Sequence, residues 1–103
     1  MPDFLPAEAT VFADNDRVRV TRYRFPPRGE TGWHRHEHAY VVVPTIAGRL
    51  TMINQAGQRQ EVEIAAGVPY FREAGVSHNV VNLSDRVVEF VETEIKAAQA
   101  ATP

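Results

Sequence analysis

The segment that most constrains the fold is residues 33–43, WHRHEHAYVVV, which carries three of the chain's four histidines at every second position. Alternation of this kind is the period of a β-strand, because successive side chains of a strand point to opposite faces. The pattern therefore predicts one strand through residues 33–43. Neighbouring side chains on one face lie roughly 6.5 Å apart, so two imidazoles there can converge on one ion and a third ligand must come from elsewhere. The shared face carries His34, His36, His38 and Tyr40.

The remainder of the chain has a similar rhythm of short alternating segments. Turn signals rich in Gly, Pro, Asn and Asp recur about every eight to twelve residues, and no amphipathic helix stands out. About eight short strands arranged in this way indicate an all-β barrel or sandwich. A length of 103 residues suits a single domain over 1–103. Residues 1–10 are expected to form an arm that packs on the outside or on a partner chain, and residues 97–103 a frayed or single-turn tail.

Composition excludes several classes of function. The chain has no cysteine, so disulfides, thiolate metal sites and thiol nucleophiles are ruled out. The formal net charge is −2 and the basic residues are interleaved with acidic ones, which argues against nucleic acid or an anionic membrane as a partner. No apolar run approaches the ~18 residues needed to span a membrane, and the first residues lack the features of a signal peptide. A soluble cytoplasmic protein is the expectation.

Spacings in the second half of the chain match one of the two motifs of a known family. The motif G-x5-P-x-G-x2-H-x3-N lies over Gly67, Gly75, His78 and Asn82 with every interval in place. Only its proline is replaced, by Glu73. On this motif and its partner, the sequence resembles the cupins, which are small double-stranded β-helix, or jelly-roll, barrels.

The partner motif, G-x5-H-x-H-x3,4-E-x6-G, overlaps the histidine segment. His34, His36 and the closing Gly48 keep its spacing, while the opening glycine falls one position late. The glutamate position is occupied by Tyr40, or by Val41 if four spacer residues are counted. Together the motifs extend the resemblance over residues 17–95, and the histidine segment also looks like a subgroup of small single-domain cupins, some of which are associated with β-alanine degradation.

The resemblance implies a metal site. In the cupin barrel the matching positions, His34, His36 and His78, meet in the interior and hold a divalent ion, here Fe, Zn, Ni or Mn. Because no glutamate joins them, three neutral imidazoles would leave the dipositive charge uncancelled, which favours an anionic ligand or bound hydroxide.

Two neighbours of the ligand positions are candidates for a catalytic role. Tyr40 is either a core aromatic or a group that acts beside the metal, since a phenol with a pKa near 10 is a poor ligand. His38 is either a stand-in for the missing glutamate or a pocket residue that takes a proton near neutral pH. In an enzyme, one of these two would donate a proton or a hydrogen bond.

Two functions from different classes remain open at the sequence level. The first is a metal-dependent, dioxygenase-like enzyme acting on a small polar or anionic metabolite, because a three-histidine site leaves room for both O₂ and substrate. The second is a non-catalytic module that binds or senses a small ligand. In either case a homodimer is expected, since Val41 and Val43 would otherwise leave an apolar face uncovered.

Overall fold

The computed structural model describes residues 3–96, so the predicted tail at 97–103 lies outside the described residues. Within residues 3–96 all regular structure is β-strand, which confirms the all-β prediction, and there is no helix with the length and apolar character that crossing a membrane requires. Eleven strands form two sheets. The first sheet has the order β1 (Leu5–Pro6), β4 (Gly29–Glu30), β10 (Ser77–Val81), β7 (Gly48–Ile53) and β8 (Arg59–Ile64), with β5 (His34–Arg35) paired to β10. The second has the order β2 (Glu8–Asp14), β3 (Val18–Phe25), β11 (Val88–Ile95), β6 (Ala39–Ile46) and β9 (Tyr70–Arg72).

Both sheets contribute inward side chains to one core. The aromatic rings of Tyr23, Phe25 and Phe90 pack together, with centroid separations of 5.4 Å for Phe25 and Phe90 and 5.6 Å for Tyr23 and Phe90. Burial of each large apolar side chain contributes about 1.5–3 kcal/mol, so this shared cluster holds the two sheets face to face. The buried apolar members are Phe25, Tyr40, Val42, Leu50, Ile64, Val80, Val88 and Phe90.

The histidine segment does not form the single strand predicted over residues 33–43. It is divided between β5, which pairs with β10 of the first sheet, and β6, which pairs with β11 and β9 of the second. The chain crosses from one sheet to the other at residues 36–38, which lie outside both strands. The strand period therefore stops applying after Arg35, because residues 36–38 no longer share the pleat of one sheet.

The N-terminal residues join the sheets from Leu5 onward. Leu5 and Pro6 pair in parallel with β4, and Glu8 begins the long edge strand β2 beside β3. These ladder contacts pair Leu5, Pro6 and residues 8–10 with strands of the two sheets, as far as the described residues extend.

The outer face of the second sheet carries the apolar residues expected to be covered by a partner. Val42 is buried in the core, whereas Val43 faces outward and is 37% exposed. Val43 lies opposite Val91 of β11, and Val41 lies opposite Phe71 of β9, so an apolar row crosses the sheet. A homodimer that covers this row stays a prediction.

Candidate metal centre

Three histidines from different parts of the chain meet at one end of the core. His34 of β5 lies directly opposite His78 of β10 in the antiparallel register. The backbone of His36 continues the same attachment, since its N–H donates to the carbonyl of Val76 and its own carbonyl accepts from Gly75, both at 2.8 Å. The φ angle of Gly75 is 103°, a conformation that favours glycine, so this motif glycine permits the turn that holds His36.

The imidazoles of these residues converge through their Nε2 atoms. His36 Nε2 lies 3.0 Å from His34 Nε2 and 3.1 Å from His78 Nε2. A proton on His36 Nε2 can point at only one of these two nitrogens, whereas an ion between the rings accepts all three lone pairs. For bonds of about 2.1 Å that meet at right angles, the nitrogens would be about 3.0 Å apart. The donor set therefore fits a divalent metal with further coordination positions open.

A hydrogen bond at Nδ1 of His34 orients its ring so that Nε2 can bind a metal. His34 Nδ1 lies 2.9 Å from the carbonyl oxygen of Gly32. Because a carbonyl only accepts, Nδ1 must carry the proton, and this leaves a lone pair on Nε2 facing the other two rings. The Gly32 N–H is in turn held by Asn79 Oδ1 at 3.0 Å, so a second residue of β10 supports the ring orientation. Such outer contacts are the ones that usually fix metal-binding imidazoles.

Burial keeps the other two rings in the form that binds metal. Desolvation, followed by the charge of His34, lowers the pKa of His36 to about 4. The pKa of His78 is also lowered to about 4 by burial and by the two neighbouring imidazoles. Both rings are therefore neutral at pH 7 in the metal-free protein, and protons do not compete with a metal ion for their lone pairs until the pH is acidic.

His38, predicted as a possible replacement for the missing glutamate, is not brought into this cluster. It follows the two-residue strand β5 at the point where the chain crosses to the second sheet. It belongs to neither of the two groups of potential ligands among the described residues, which are His34, His36 and His78, and His36, Glu92 and Glu94. It also does not line the cavity described below. His38 is separated from the cluster because the strand that carries His34 ends at Arg35. Beyond that break, alternate residues no longer point to the same face.

Tyr40 lies beside the histidines without adding a ligand to their group. Its ring stacks on the ring of His36, with centroids 3.9 Å apart and an angle of 19° between the planes. Tyr40 is 4% exposed. Burial, together with the charge of Glu92, raises its pKa to about 12, so the phenol is neutral at physiological pH. Its position fixes the His36 ring from one side and places an aromatic wall next to the candidate site.

The histidine cluster opens into a cavity of about 550 Å³. Its wall combines apolar core residues with polar groups, including Arg59 from β8 and Arg72 from β9. The guanidinium of Arg72 lies over the ring of Tyr70, 4.6 Å from its centroid. A cavity of this size holds a small metabolite, and its cationic groups favour a ligand that carries negative charge. Tyr70 itself lines this cavity.

Sequence reasoning missed an acidic residue in the same cavity. Glu92 of β11 is 6% exposed and lines the cavity wall. Burial and the neighbouring Glu94 raise its pKa to about 7, while Arg19 opposes the shift. The sequence of β11 contained a signal for this residue. Positions 88, 90, 92 and 94 alternate along the strand and point into the core, and positions 92 and 94 are glutamates. Acidic residues at the inward-facing positions of a strand are uncommon, so their presence indicates that the interior has a functional role.

All three tyrosines of the chain are expected to ionise above the ordinary range in the metal-free protein. Burial is the main cause that raises the pKa of Tyr23, Tyr40 and Tyr70, and Tyr40 reaches about 12. The unfolded chain releases these protons near pH 10, before the folded protein does, so the free energy of unfolding should fall as the pH rises through this window. Tyrosinate absorbance measured against pH in native and urea-unfolded protein checks this. Tyr40→Phe should remove the most alkaline step, and native titration at pH 10 would contradict the burial of these rings.

Two sheets enclosing a small cavity, with one histidine pair two residues apart and a third histidine from a distant strand, define a small cupin. The chain belongs to the cupin family, since the family's cupin-domain profile matches residues 21–94. The fold class predicted from the two motifs, a double-stranded β-helix, is thereby confirmed.

Individual relatives agree with this assignment. The β-alanine degradation protein BauB of Pseudomonas aeruginosa is 53% identical over 90 residues, which cover 87% of this chain and 94% of that protein. The crystal structure of a cupin domain from Bordetella pertussis matches with a TM-score of 0.87 and 50% identity, covering 92% of this chain and 98% of the other. A double-stranded β-helix protein from Klebsiella pneumoniae matches with a TM-score of 0.71 at 19% identity, covering 92% and 81% of the two chains, and shows the fold alone.

Proposed function

We propose that this cupin binds one divalent metal ion through His34, His36 and His78 and uses it to act on a small carboxylate. The observation that carries the proposal is the convergence of three Nε2 atoms, at 3.0 and 3.1 Å, beside a cavity with arginines in its wall. Three imidazoles form a neutral ligand set that suits Fe, Zn or Ni and leaves positions open for a ligand. A metal bound there would act as a Lewis acid toward a carboxylate or carbonyl oxygen.

The chain's own residues support an anionic ligand. The three histidines contribute no negative charge, so the metal's charge is not cancelled by its ligands. Arg59 and Arg72 add positive charge to the cavity wall, and Arg72 is held in place over Tyr70. The neutral phenol of Tyr40 closes one side of the His36 ring and offers a hydrogen-bond donor near the same space.

The relative's name narrows the class of carboxylate. BauB, which is 53% identical to this chain, is described as a β-alanine degradation protein. β-Alanine and the three-carbon acids related to it are small enough for a cavity of about 550 Å³. We therefore propose a three-carbon carboxylate as the substrate class, with oxygenation as the first reaction to test, because a three-histidine site leaves positions free for O₂.

Metal analysis followed by an oxygen-uptake assay tests the proposal. Protein purified without added metal is expected to carry close to one equivalent of a divalent metal. Protein reconstituted anaerobically with Fe(II) is then mixed with propanoate, 3-hydroxypropanoate, malonate and β-alanine, and oxygen uptake is followed. Uptake with one of these acids supports the enzyme. Tight binding without turnover would indicate a module that binds or senses the ligand, and the absence of both metal and ligand binding would overturn the proposal.

Two further predictions from the sequence belong to this proposal. A cytoplasmic location is in keeping with a chain that has no cysteine. A homodimer would cover the apolar row on the outer sheet face that includes Val43 and Val91.

A further inference from the structure

One carboxyl group in the cavity has no partner within the part of the chain that the structure describes. Glu92 is 6% exposed and lines the cavity, yet it takes part in none of the side-chain hydrogen bonds or ion pairs of residues 3–96. The Glu92 oxygens are open to the cavity and not sealed in the core, and a largely desolvated carboxylate without a counter-ion is costly. Its presence in the wall of a ligand cavity therefore points to a partner that arrives with the ligand.

Arg19, the arginine whose charge opposes the rise that burial causes in the pKa of Glu92, is already paired with another residue. Arg19 donates to both carboxylate oxygens of Glu94, from Nε at 2.5 Å and from Nη2 at 2.9 Å. This two-point contact is the strong geometry for a guanidinium and a carboxylate, so Arg19 is fully engaged. Glu92 is therefore left without a cationic partner among the described residues, and a cation from outside can pair with it.

The geometry indicates that the cation paired with Glu92 is not the metal ion held by the three histidines. Glu92 has a carboxylate oxygen within 4.8 Å of a ring nitrogen of His36, but it is not a member of the group formed by His34, His36 and His78. Ligand atoms on one ion with bonds of about 2.1 Å lie at most about 4.2 Å apart. Glu92 is therefore beside the metal centre, where it can face a group on the ligand.

The opposite charge lies on the same inner face, two strands away. Glu92 is opposite Val42 of β6, Val42 is opposite Tyr70 of β9, and Arg72 follows two residues further on β9. Strand spacing and rise place the Cα atoms of Glu92 and Arg72 roughly 12 Å apart. Both side chains line the cavity, so one ligand there can contact the two opposite charges.

We propose that the cavity is selective for a small amino-carboxylate, with Glu92 pairing with the ammonium group and Arg72 with the carboxylate. This inference rests on the proposed function, because it names the substrate class of the same site. Glu92 is thus a specificity-determining residue: a plain acid of equal length satisfies the cationic end of the cavity but leaves Glu92 without its partner.

The test compares ligands that differ by the ammonium group. Calorimetry with metal-loaded protein is expected to give β-alanine at least about tenfold tighter binding than propanoate, since a charge-assisted contact is added in a partly buried site. Glu92→Gln should reduce the preference for β-alanine over propanoate to within about twofold. Glu61→Gln, on the exposed outer side of β8, is the matched control and should retain the wild-type preference.

The outcomes separate this inference from the proposed function. Propanoate binding with no preference for β-alanine in the wild type, or an unchanged preference in Glu92→Gln, would overturn the role of Glu92 and leave the carboxylate site intact. Failure to bind metal or any carboxylate would overturn the proposed function itself. Thermal unfolding of each variant establishes that it is folded, and the wild-type comparison decides the inference even if Glu92→Gln does not fold.

Discussion

Replacing His36 with alanine is expected to lower the affinity for a divalent metal on the order of 1000-fold or more. His36 occupies the middle of the cluster, with its Nε2 within hydrogen-bond distance of both other Nε2 atoms. Its loss removes one of three ligands and also leaves a gap beside the stacked ring of Tyr40. Because the rings are held together by the fold before any metal arrives, each contributes strongly to affinity. Equilibrium dialysis against Zn²⁺ or Co²⁺, followed by metal analysis, measures the change.

His38→Ala provides a matched control for this substitution. The two histidines are two residues apart, yet His38 lies outside both groups of potential ligands and does not line the cavity. Its removal is expected to change metal affinity by less than about threefold, well below the roughly 10–100-fold loss that follows removal of a residue that orients a metal ligand. If His38→Ala lost the metal while His36→Ala kept it, the site described above would be wrong and His38 would be the replacement for the family's glutamate.

Replacing Asn82 with alanine is expected to destabilise the fold by about 3 kcal/mol or more. Asn82 is fully buried and makes five side-chain hydrogen bonds. Its amide donates its two protons to the carbonyls of Phe25 and Arg86, with the Pro26 carbonyl at 3.3 Å as a shared contact, and its Oδ1 accepts from the N–H and hydroxyl of Ser84. Alanine removes the side-chain partner of the buried Phe25 carbonyl and of the Ser84 N–H, and each buried unsatisfied group costs about 1–3 kcal/mol.

Urea unfolding measures this loss, and an exposed asparagine serves as its control. Asn54 makes side-chain contacts with Gln58 in the exposed turn between β7 and β8. Water replaces those contacts when the side chain is removed, so Asn54→Ala is expected to cost no more than about 1 kcal/mol. If Asn82→Ala lowered the free energy of unfolding by no more than Asn54→Ala does, the hydrogen bonds of Asn82 would not be what joins the end of β3 to the start of β11.

The motif position of Asn82 was readable from the sequence, but its partners were not. Asparagine side chains often hydrogen-bond to backbone groups close to them in the chain, and the Asn82 side chain could do the same. It instead ties together the ends of β3 and β11, since Phe25 ends one strand and Arg86 precedes the other. The residues that supply these carbonyls lie 57 and 4 positions away from Asn82 in the chain. Only the folding of two sheets against each other brings such separated backbone groups to one side chain.

The difference between local pattern and distant contacts also explains why the single strand predicted over residues 33–43 was wrong. Alternation over residues 33–43 predicted a single strand, and the period correctly described the short pieces on either side of the break. Nothing in the local pattern marks the crossing at residues 36–38, because the turn is held by Val76 and Gly75, which come much later in the chain. Expectations that depended on a straight strand, above all a shared face for His36 and His38, failed for that reason.

What the sequence determined by itself was the all-β class, the cupin family and the identity of the three histidines, since strand period and fixed motif spacings are local properties. What the tertiary structure decided was which other groups face those histidines. The separation of His38 from the cluster, the stacking of Tyr40 on His36 and the presence of Glu92 and Arg72 in one cavity all depend on how distant strands pair. Register between strands is set by packing of the whole core, so no short stretch of the chain contains it.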